Sequence, residues 1–411
     1  MKNKRIRPEL IAPAGNMEKL KLAFNYGADS VYLAGKKYGL RAGADNFTLA
    51  EIESGIQYAR VRNKKVYVTV NIIPHNTDLK ILPGYIKRLY EMGVDGVIAA
   101  DPGVIMIIRD IAPQLSITLS TQANCTNLKS AAFWFGQGVG KITLARELSL
   151  REIQEIIKQA PKSQEFEVFI HGSLCISYSG RCLLSSYMAD RDSNRGLCAH
   201  SCRWKYHLVE QKRPGEYFPV YESERGTYIM NSRDLCLIEY IPELIQSGVS
   251  SFKIEGRMKS LLYTATVTSV YRKAIDRYME AGANYVPQPE WMEELKKINH
   301  RGYTRGFIQS KPAHESCIYD GETYSSKYDL AGIVLGYDAG NHTAIVRQKN
   351  KFAIGDTIEV IGPGRDYFTQ KVAEIYNENN EAVDAAPHAG QTVKLSVSRP
   401  VKPMDIIRKK I

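Results

Sequence analysis

The sequence has no apolar run long enough to cross a bilayer and no recognisable export signal. A membrane-spanning helix needs about 20 consecutive apolar residues, and no such run occurs in the 411 residues. The first eight residues, M-K-N-K-R-I-R-P, are basic and lead into no apolar core, so they do not resemble a secretory signal. We therefore expect a cytoplasmic protein that does not associate with membranes.

The sequence also lacks two common hydrolase motifs. Neither the G-x-S-x-G motif of serine hydrolases nor the H-E-x-x-H motif of zinc proteases is present. Each motif places a nucleophile or a metal-binding pair at a fixed spacing. The sequence therefore gives no support for a hydrolase of either class.

Acidic residues are outnumbered by basic ones. The chain has 55 Lys and Arg against 44 Asp and Glu, which gives a net charge of +11 and a pI near 9.1. Such a balance points to a polyanionic partner, for which RNA is the natural candidate. It is also common in proteins that bind no nucleic acid, so charge alone leaves the question open.

Cysteine is scarce but concentrated. Four of the seven cysteines lie in one short segment: Cys175, Cys182, Cys198 and Cys202. Disulfides are disfavoured in the expected compartment. Cys198 and Cys202 have the spacing of a zinc knuckle, whereas Cys175 and Cys182 are too far apart for a second one. Iron–sulfur clusters tolerate irregular spacing and use four thiolates. The spacing favours a metal site and leaves zinc and iron–sulfur both open.

The residues around these cysteines form a long motif. Residues 167–185 read E-x-F-x-x-G-S-L-C-x-x-x-x-G-x-C-x-L-S, and C-R-W-K-Y (202–206), Y-I-M-N-S (228–232) and F-K-I-E-G-R (252–257) follow. This pattern resembles the fingerprint of the collagenase-like peptidase family of unknown catalytic type, family thirty-two of the U class. Several bacterial members of that family are iron–sulfur proteins that hydroxylate RNA or ubiquinone precursors. The resemblance is nearest to the branch that makes 5-hydroxyuridine at the tRNA wobble position.

The resemblance implies a set of cofactors and partners. It implies a [4Fe-4S] cluster on Cys175, Cys182, Cys198 and Cys202, prephenate as a cosubstrate and tRNA as the substrate, and it leaves room for a second family member as a partner. Some relatives take a cluster ligand from about the position of Cys236. The tRNA-modifying branch uses the Cys198 and Cys202 pair, so Cys202 is the predicted fourth ligand.

Short apolar strands alternate with helical patterns up to about residue 282. A glycine followed at once by a strand recurs at Gly27, Gly93, Gly138 and Gly248, as expected where a helix ends and the next strand begins. Eight strands are predicted, at 10–13, 30–34, 66–72, 96–100, 116–120, 141–145, 166–171 and 251–255. This pattern predicts an α/β fold, a (β/α)8 TIM-like barrel over residues 1–282 with a Cys-rich insertion at 172–250. A doubly wound open sheet is the alternative.

A TIM-like barrel places its active site at the carboxyl ends of its strands. The candidate catalytic residues at these ends are His171, Glu255, Arg257, Arg146 and Gln122. Arginine forks bind carboxylates bidentately, which suits Arg146 and Arg257 to a dicarboxylate such as prephenate. Glu255 and Arg257 could instead form an ion pair, and Gln122 could be a satisfied loop residue. His171 could tune the cluster or be a buried core histidine.

The remainder of the chain changes character. Residues 283–327 read as a linker that contains a short helix from Trp291 to Ile298. Residues 328–411 show short strands of period two, which predict a small all-β barrel. It resembles the elongation-factor-like barrel found in some family members. Its basic residues suit an RNA-holding module or a solvated basic surface. Residues 203–213, which mix aromatic and basic side chains, suit base stacking or a packed strand.

Three functions compete at this point. The first is an iron–sulfur tRNA hydroxylase that depends on prephenate. The second is a peptidase, the activity for which the family is named, although a cysteine protease needs one activated thiolate beside a histidine base. The third is a non-catalytic RNA-binding protein with structural zinc. Metal content separates the first from the third.

Overall fold

The computed structural model describes residues 6–40, 44–175, 177–204, 207–208, 218–219, 231–309, 317–318 and 326–411. Within these ranges, no helix combines the length and the apolar character that a bilayer crossing requires.

The first part of the chain alternates strands with helices. Its strands are β1 (Glu9–Pro13), β2 (Ser30–Ala34), β3 (Lys65–Val70), β4 (Gly96–Ala99), β5 (Ile117–Leu119), β6 (Lys141–Thr143), β7 (Glu165–Ser173), β8 (His207–Leu208), β9 (Phe218–Pro219), β10 (Asn231–Ser232), β11 (Asp234–Cys236), β12 (Ser251–Ile254) and β13 (Tyr303–Thr304). Its helices are α1 (Met17–Asn25), α2 (Leu49–Arg60), α3 (Asn76–Leu79), α4 (Leu82–Met92), α5 (Pro102–Ile111), α6 (Leu128–Gly136), α7 (Leu150–Gln159), α8 (Leu184–Ala189), α9 (Ile241–Gln246), α10 (Leu261–Ala281) and α11 (Pro289–Lys296).

Strands β1 to β7 and β12 form a closed parallel barrel. Each of β1 to β6 pairs in parallel with the next strand, and β12 pairs in parallel with both β7 and β1. The predicted TIM-like barrel is therefore confirmed, and the open sheet is excluded because β12 closes the ring. The recurring glycines have the expected role. Gly93 caps α4 with a left-handed φ of 73°, a conformation that costs glycine little because it has no Cβ.

The inside of the barrel carries charge. TIM barrels usually fill this space with branched apolar side chains. Here a small apolar cluster of Ile11, Tyr32, Tyr67 and Ile98 shares it with two ion pairs. The ammonium of Lys141 lies 2.6 Å from Glu9 Oε2 near one end, and that of Lys253 lies 2.8 Å from Glu167 Oε1 near the other. The buried side chains of the barrel interior are thus partly polar.

The insertion leaves the barrel after β7 and returns through β11. Strand β11 runs antiparallel to the end of β7 and pairs Cys236 with His171. Strand β13 pairs in parallel with β11, so part of the predicted linker extends the barrel sheet. The predicted helix in that region is present as α11, which begins at Pro289.

The carboxyl-terminal region is an all-β domain, as predicted. Its strands are β14 (Cys317–Ile318), β15 (Tyr328–Asp338), β16 (Thr343–Gln348), β17 (Phe352–Ala353), β18 (Thr357–Ile361), β19 (Phe368–Lys371), β20 (Ile375–Tyr376), β21 (Ala385–Ala386), β22 (Thr392–Ser396) and β23 (Ile406–Lys410). Seven of them form one antiparallel sheet in the order β19-β18-β23-β15-β16-β22-β20. Strand β14 pairs instead with β10.

Several basic residues of this domain hold it against the barrel. Arg408 is fully buried and lies within 2.8 Å of Glu294 and 2.5 Å of Glu359. Arg347 and Lys349 both contact Glu18 of α1, at 3.0 and 2.9 Å. These three cations are therefore engaged within the protein and do not form a solvated basic surface.

Candidate functional site

A cavity opens at the carboxyl ends of the barrel strands. It encloses about 1170 Å³, counting the part that is open to solvent. Its floor and walls include Tyr32, Thr69, Asn71, Ile98, Ser120, Gln122, Thr143, Arg146, Phe169, Lys253, Glu255 and Arg257. The insertion covers it with Leu174, Cys175, Tyr178, Ser179, Gly180, Cys182, Cys198, His200 and Cys202. The barrel and the insertion therefore build one site together.

Hydrogen bonds next to Cys182 hold the insertion together, and an ion pair fixes it to the barrel. Ser193 Oγ and Asn194 Nδ2 both donate to the carbonyl of Cys182, at 2.7 and 3.0 Å. The Arg195 guanidinium binds the carboxylate of Asp78, on α3 after β3, at 2.8 Å. Hydrogen bonds from Arg195, and then from the His75 amide, hold the pKa of Asp78 below its usual range. This ion pair ties the cover to the barrel rim.

The four predicted ligand cysteines all line this cavity. None of these four cysteines forms a disulfide. The backbone amide of His200 donates to Cys198 Sγ at 3.4 Å, and His200 adopts a left-handed φ of 59°. Amide hydrogen bonds to sulfur are one way in which a protein tunes a thiolate-bound cluster.

These residues suit a thiolate-bound cluster in kind and in number. As the side chains are placed, however, no three His, Cys, Asp or Glu groups of the described ranges are close enough together to hold a metal ion. The cavity therefore supplies four candidate thiolate ligands, and their ligation of iron stays a prediction.

Cys236 and Cys125 lie elsewhere. Both are buried and neither belongs to the cavity lining. Cys236 Sγ contacts the hydroxyl of Tyr271 at 3.7 Å, and burial raises its pKa to about 11. Of the two residues considered for the fourth position, Cys202 has the better location.

The two candidate arginines line the cavity but are held by loops. Arg146 donates to the carbonyl of Ser173 at 2.8 Å and to Ser179 Oγ at 2.6 Å. Arg257, which is 3 % exposed, donates to Asn46 Oδ1 at 3.2 Å and to the carbonyl of Leu40. Both guanidinium groups therefore hold segments of the chain at the rim of the cavity. To bind a carboxylate as well, each would have to donate further hydrogen bonds in addition to these.

His171 does not line the cavity. It is 1 % exposed, and its ring lies among Tyr263, Tyr271 and Tyr303, with centroids 5.8, 5.5 and 5.2 Å away. Burial lowers its pKa to about 3, so the imidazole is neutral at physiological pH. Of the two roles considered for His171, this position favours the buried core histidine over the cluster neighbour.

The position of His171 has a cause in the sheet. Period two would place Phe169 and His171 on the same face of β7. Instead the β7–β12 register shifts between Lys253 and Ile254, so that Lys253 pairs with Phe169 and Ile254 pairs with His171. A bulge of this kind reverses the alternation. Phe169 lines the cavity, whereas His171 faces the tyrosines of α10.

Lys253 is a cavity residue that the sequence reasoning missed. Its ammonium lies 4.7 Å from the centre of the Tyr32 ring and pairs with Glu167 below it. Lys253 stands two positions before Glu255, and side chains two positions apart lie on one face of a strand. The sequence therefore contained enough information to predict that Lys253 faces the cavity with Glu255. Lys253, Arg146 and Arg257 line the cavity together with the carboxylate of Glu255. Because Glu167 balances the charge of Lys253, the positive excess of the described wall comes from the two arginines.

The aromatic and basic segment 203–213 lies largely outside the described residues. Within it, residues 207–208 form a short strand with residues 218–219. Trp204 precedes this strand and is 47 % exposed.

The fold and the site define a TIM-barrel protein whose active-site end is covered by a cysteine-bearing insertion. Residues 15–317 match the family described as Peptidase family U32, and residues 326–408 match the Peptidase family U32 C-terminal domain. The chain therefore belongs to peptidase family U32, which confirms the resemblance found in the sequence.

Three curated relatives span nearly the whole chain. The tRNA hydroxylation protein P1 of Bacillus subtilis is 44% identical over 98% of this chain and 95% of its own length. The tRNA hydroxylation protein P of Escherichia coli is 40% identical over 95% of this chain and 94% of its own. A protein named collagenase from Porphyromonas gingivalis is 30% identical over 97% of this chain and 96% of its own.

Proposed function

We propose that this protein hydroxylates tRNA, and that the product is 5-hydroxyuridine at the wobble position. The observation that carries the proposal is the similarity, over 98% of the chain, to a protein named for tRNA hydroxylation. The finer parts of the proposal concern the wobble uridine, an iron–sulfur cluster and prephenate. They rest on the chemistry of the cavity and on the family resemblance of its motifs.

The cavity suits this reaction in two respects. It lies at the end of the barrel where TIM-barrel enzymes place their chemistry. Its cover supplies four cysteine side chains.

We assign Cys175, Cys182, Cys198 and Cys202 to hold a [4Fe-4S] cluster. When bound, such a cluster would supply electron transfer or position a substrate at iron. The chain's own contribution is to bring the four thiols over the barrel mouth. Ser193, Asn194 and Arg195 do this by fixing the Cys182 segment to the rim.

The positive wall gives an anionic cosubstrate a place to bind. Prephenate carries two carboxylates, and two arginines, Arg146 and Arg257, line the cavity with the carboxylate of Glu255. Charge-assisted hydrogen bonds from such cations are stronger than neutral ones. We assign Arg146 and Arg257 to bind the carboxylates.

The test is the tRNA nucleoside profile of a strain that lacks this gene. Mass spectrometry should show the loss of 5-hydroxyuridine and its derivatives. The parent gene should restore them, and a gene with Cys198→Ser should not. The matched control is Cys236→Ser, which removes a thiol outside the cavity and should restore the nucleosides. Normal 5-hydroxyuridine in the deletion strain, with no paralogue present, would refute the proposal.

Two alternatives are separated by the purified protein. The collagenase relative and the family name favour peptidase activity, which metal-free protein should show on casein or collagen if that reading is right. A zinc-bound RNA-binding protein would contain zinc without sulfide after anaerobic purification. The hydroxylase should contain iron with acid-labile sulfide and cleave neither protein.

A further inference from the structure

The side chain of Gln122 ends in a hydrogen-bond donor that no described residue uses. Gln122 is 7 % exposed and lines the cavity. Its Oε1 accepts from Asn71 Nδ2 at 2.6 Å and from the Ser120 hydroxyl at 3.2 Å. Its Nε2 is buried and has no partner in the part of the chain that the structure describes. A buried donor without a partner costs about 1–3 kcal/mol, so its retention in a cavity wall calls for an acceptor from outside the protein.

The orientation of this amide is fixed by a chain of contacts. The backbone amide of Leu40 donates to Asn71 Oδ1 at 3.3 Å, which identifies that atom as the oxygen. The other end of Asn71 is therefore a donor, and the Gln122 atom that it reaches is the oxygen. It follows that Gln122 presents its NH₂ group away from Asn71. A flipped Gln122 would place two donors 2.6 Å apart.

Thr69 adds a second polar group to the same cavity. It is 3 % exposed, lines the cavity, and its hydroxyl has no partner among the described residues. Thr69 and Asn71 are two positions apart at the end of β3. Gly39 packs its backbone close to this hydroxyl, since a Cβ there would come within 2.9 Å of Thr69 Oγ1.

We propose that Gln122 and Thr69 read the imide edge of a uracil ring that leaves its RNA strand and enters the cavity. This proposal rests on the proposed function, and it names the residues that recognise the base to be hydroxylated. In the assignment, Gln122 Nε2 donates to the ring O4, and the Thr69 hydroxyl accepts from N3–H. Tyr32 and Phe169, which line the cavity, give the ring aromatic neighbours.

The pair distinguishes uracil from cytosine. Cytosine carries an amino group in place of O4 and an acceptor in place of N3–H. Its amino group would meet the NH₂ of Gln122, so two donors would face each other in a buried site. Enzymes that modify a base take it out of the stack, at least cost in a single-stranded loop. A loop uridine is therefore the class of substrate that this edge fits.

Binding of two anticodon stem-loop RNAs to the anaerobically purified full-length protein tests the assignment. The RNAs differ only in carrying U or C at the wobble position, and fluorescence anisotropy gives both affinities. The parent should prefer U. Gln122→Glu replaces the donor by an acceptor and should reduce that preference roughly tenfold or more, the value of one buried hydrogen bond. Thr69→Val, which keeps the shape, should weaken binding of both RNAs and leave the preference for U in place, because a hydroxyl can accept from N3–H of uracil or donate to N3 of cytosine.

Two controls match these changes in kind. Gln57→Glu makes the same substitution on the exposed face of α2. Thr268→Val removes another buried hydroxyl without a partner, on α10 and outside the cavity lining. Both should keep the parent's preference.

The possible results distinguish a failure of this assignment from a failure of the proposed function. A parent that prefers U would contradict the assignment if folded Gln122→Glu keeps that preference and Thr69→Val binds both RNAs as tightly as the parent. A parent without any preference, together with unchanged 5-hydroxyuridine in the deletion strain, would overturn the function and the assignment together. If Gln122→Glu does not fold, the affinity of Thr69→Val for the two RNAs decides the assignment.

Discussion

Replacing Lys253 by methionine should destabilise the barrel strongly. Glu167 is fully buried, and Lys253 is its ion-pair partner at 2.8 Å. Without that ammonium, the carboxylate keeps only the hydroxyls of Thr143 and Ser251, at 2.7 and 3.2 Å, as hydrogen-bond donors among its described contacts. Breaking a buried ion pair by removing one partner costs about 3–5 kcal/mol. We expect a loss of that size in the free energy of unfolding.

The sign of the pH dependence should also reverse. In the parent, burial opposes ionisation of Glu167, but the Lys253 and Lys141 charges outweigh it and lower its pKa. The stability it contributes is therefore present above the ordinary carboxyl pKa of about 4.3 and is lost as the pH falls. In Lys253→Met, burial prevails and the pKa of Glu167 rises. The loss of stability relative to the parent should then be larger at about pH 7.5 than at about pH 5.5, because a carboxyl with a raised pKa can take up a proton at the lower pH.

Urea denaturation followed by circular dichroism measures both effects. The control is Lys296→Met, which breaks an exposed pair with Glu293 and should leave stability almost unchanged because solvent screens such pairs. The double variant Lys253→Met with Glu167→Gln should recover most of the loss, because no buried charge is left without its partner. A loss below about 1 kcal/mol in Lys253→Met, with an unchanged denaturant slope, would refute this account of the barrel interior.

Three further predictions concern the cavity and its surroundings. Cys202→Ser should lower the iron and acid-labile sulfide of anaerobically purified protein, and Cys236→Ser should not; equal losses would refute the ligand assignment. Arg195→Ala should loosen the insertion, at a cost of about 1 kcal/mol because its pair with Asp78 is partly exposed, and amide exchange should rise in residues 177–204; unchanged exchange would show that other contacts suffice. Burial lowers the pKa of His171 to about 3, so the stability of the parent should fall as the pH drops from about 6.5 towards 3. The free energy of unfolding of His171→Phe should depend less steeply on pH over this range. An equal slope in both proteins would contradict this prediction.

The fold could be predicted from the sequence because its signals are local. The glycine-then-strand repeat marks four of the turns, and the left-handed φ of 73° at Gly93 is the conformation that such a glycine predicts. The predicted seventh strand stopped at residue 171, whereas β7 continues to Ser173. The extra residues are held by β11, which pairs Asp234 with Ser173. A partner some 60 positions away leaves no periodic trace, so the sequence could not show it.

The site could be predicted only in part. Gln122 and Arg146, which were predicted from strand ends, line the cavity, and their catalytic roles stay predictions. The carbonyls that hold Arg146 and Arg257 belong to Ser173, at the end of β7, and to Leu40, and residue type does not encode these contacts. One of the two roles considered for His171 put it beside the cluster, and a single register shift in β7 sends it to the other face. The ion pairs inside the barrel were missed because alternating charges on a strand ordinarily indicate a solvated face.

The two ion pairs inside the barrel affect how mutational data on this protein should be read. Lys253 is at once a cavity wall and a folding partner of Glu167. A screen that scores only cellular activity would rank Lys253 and Glu167 with the catalytic groups, because a misfolded enzyme and a folded but inactive enzyme both show no activity. Abundance measured alongside activity would separate these causes, and it is in this barrel, with charge where others have aliphatic side chains, that the distinction matters most.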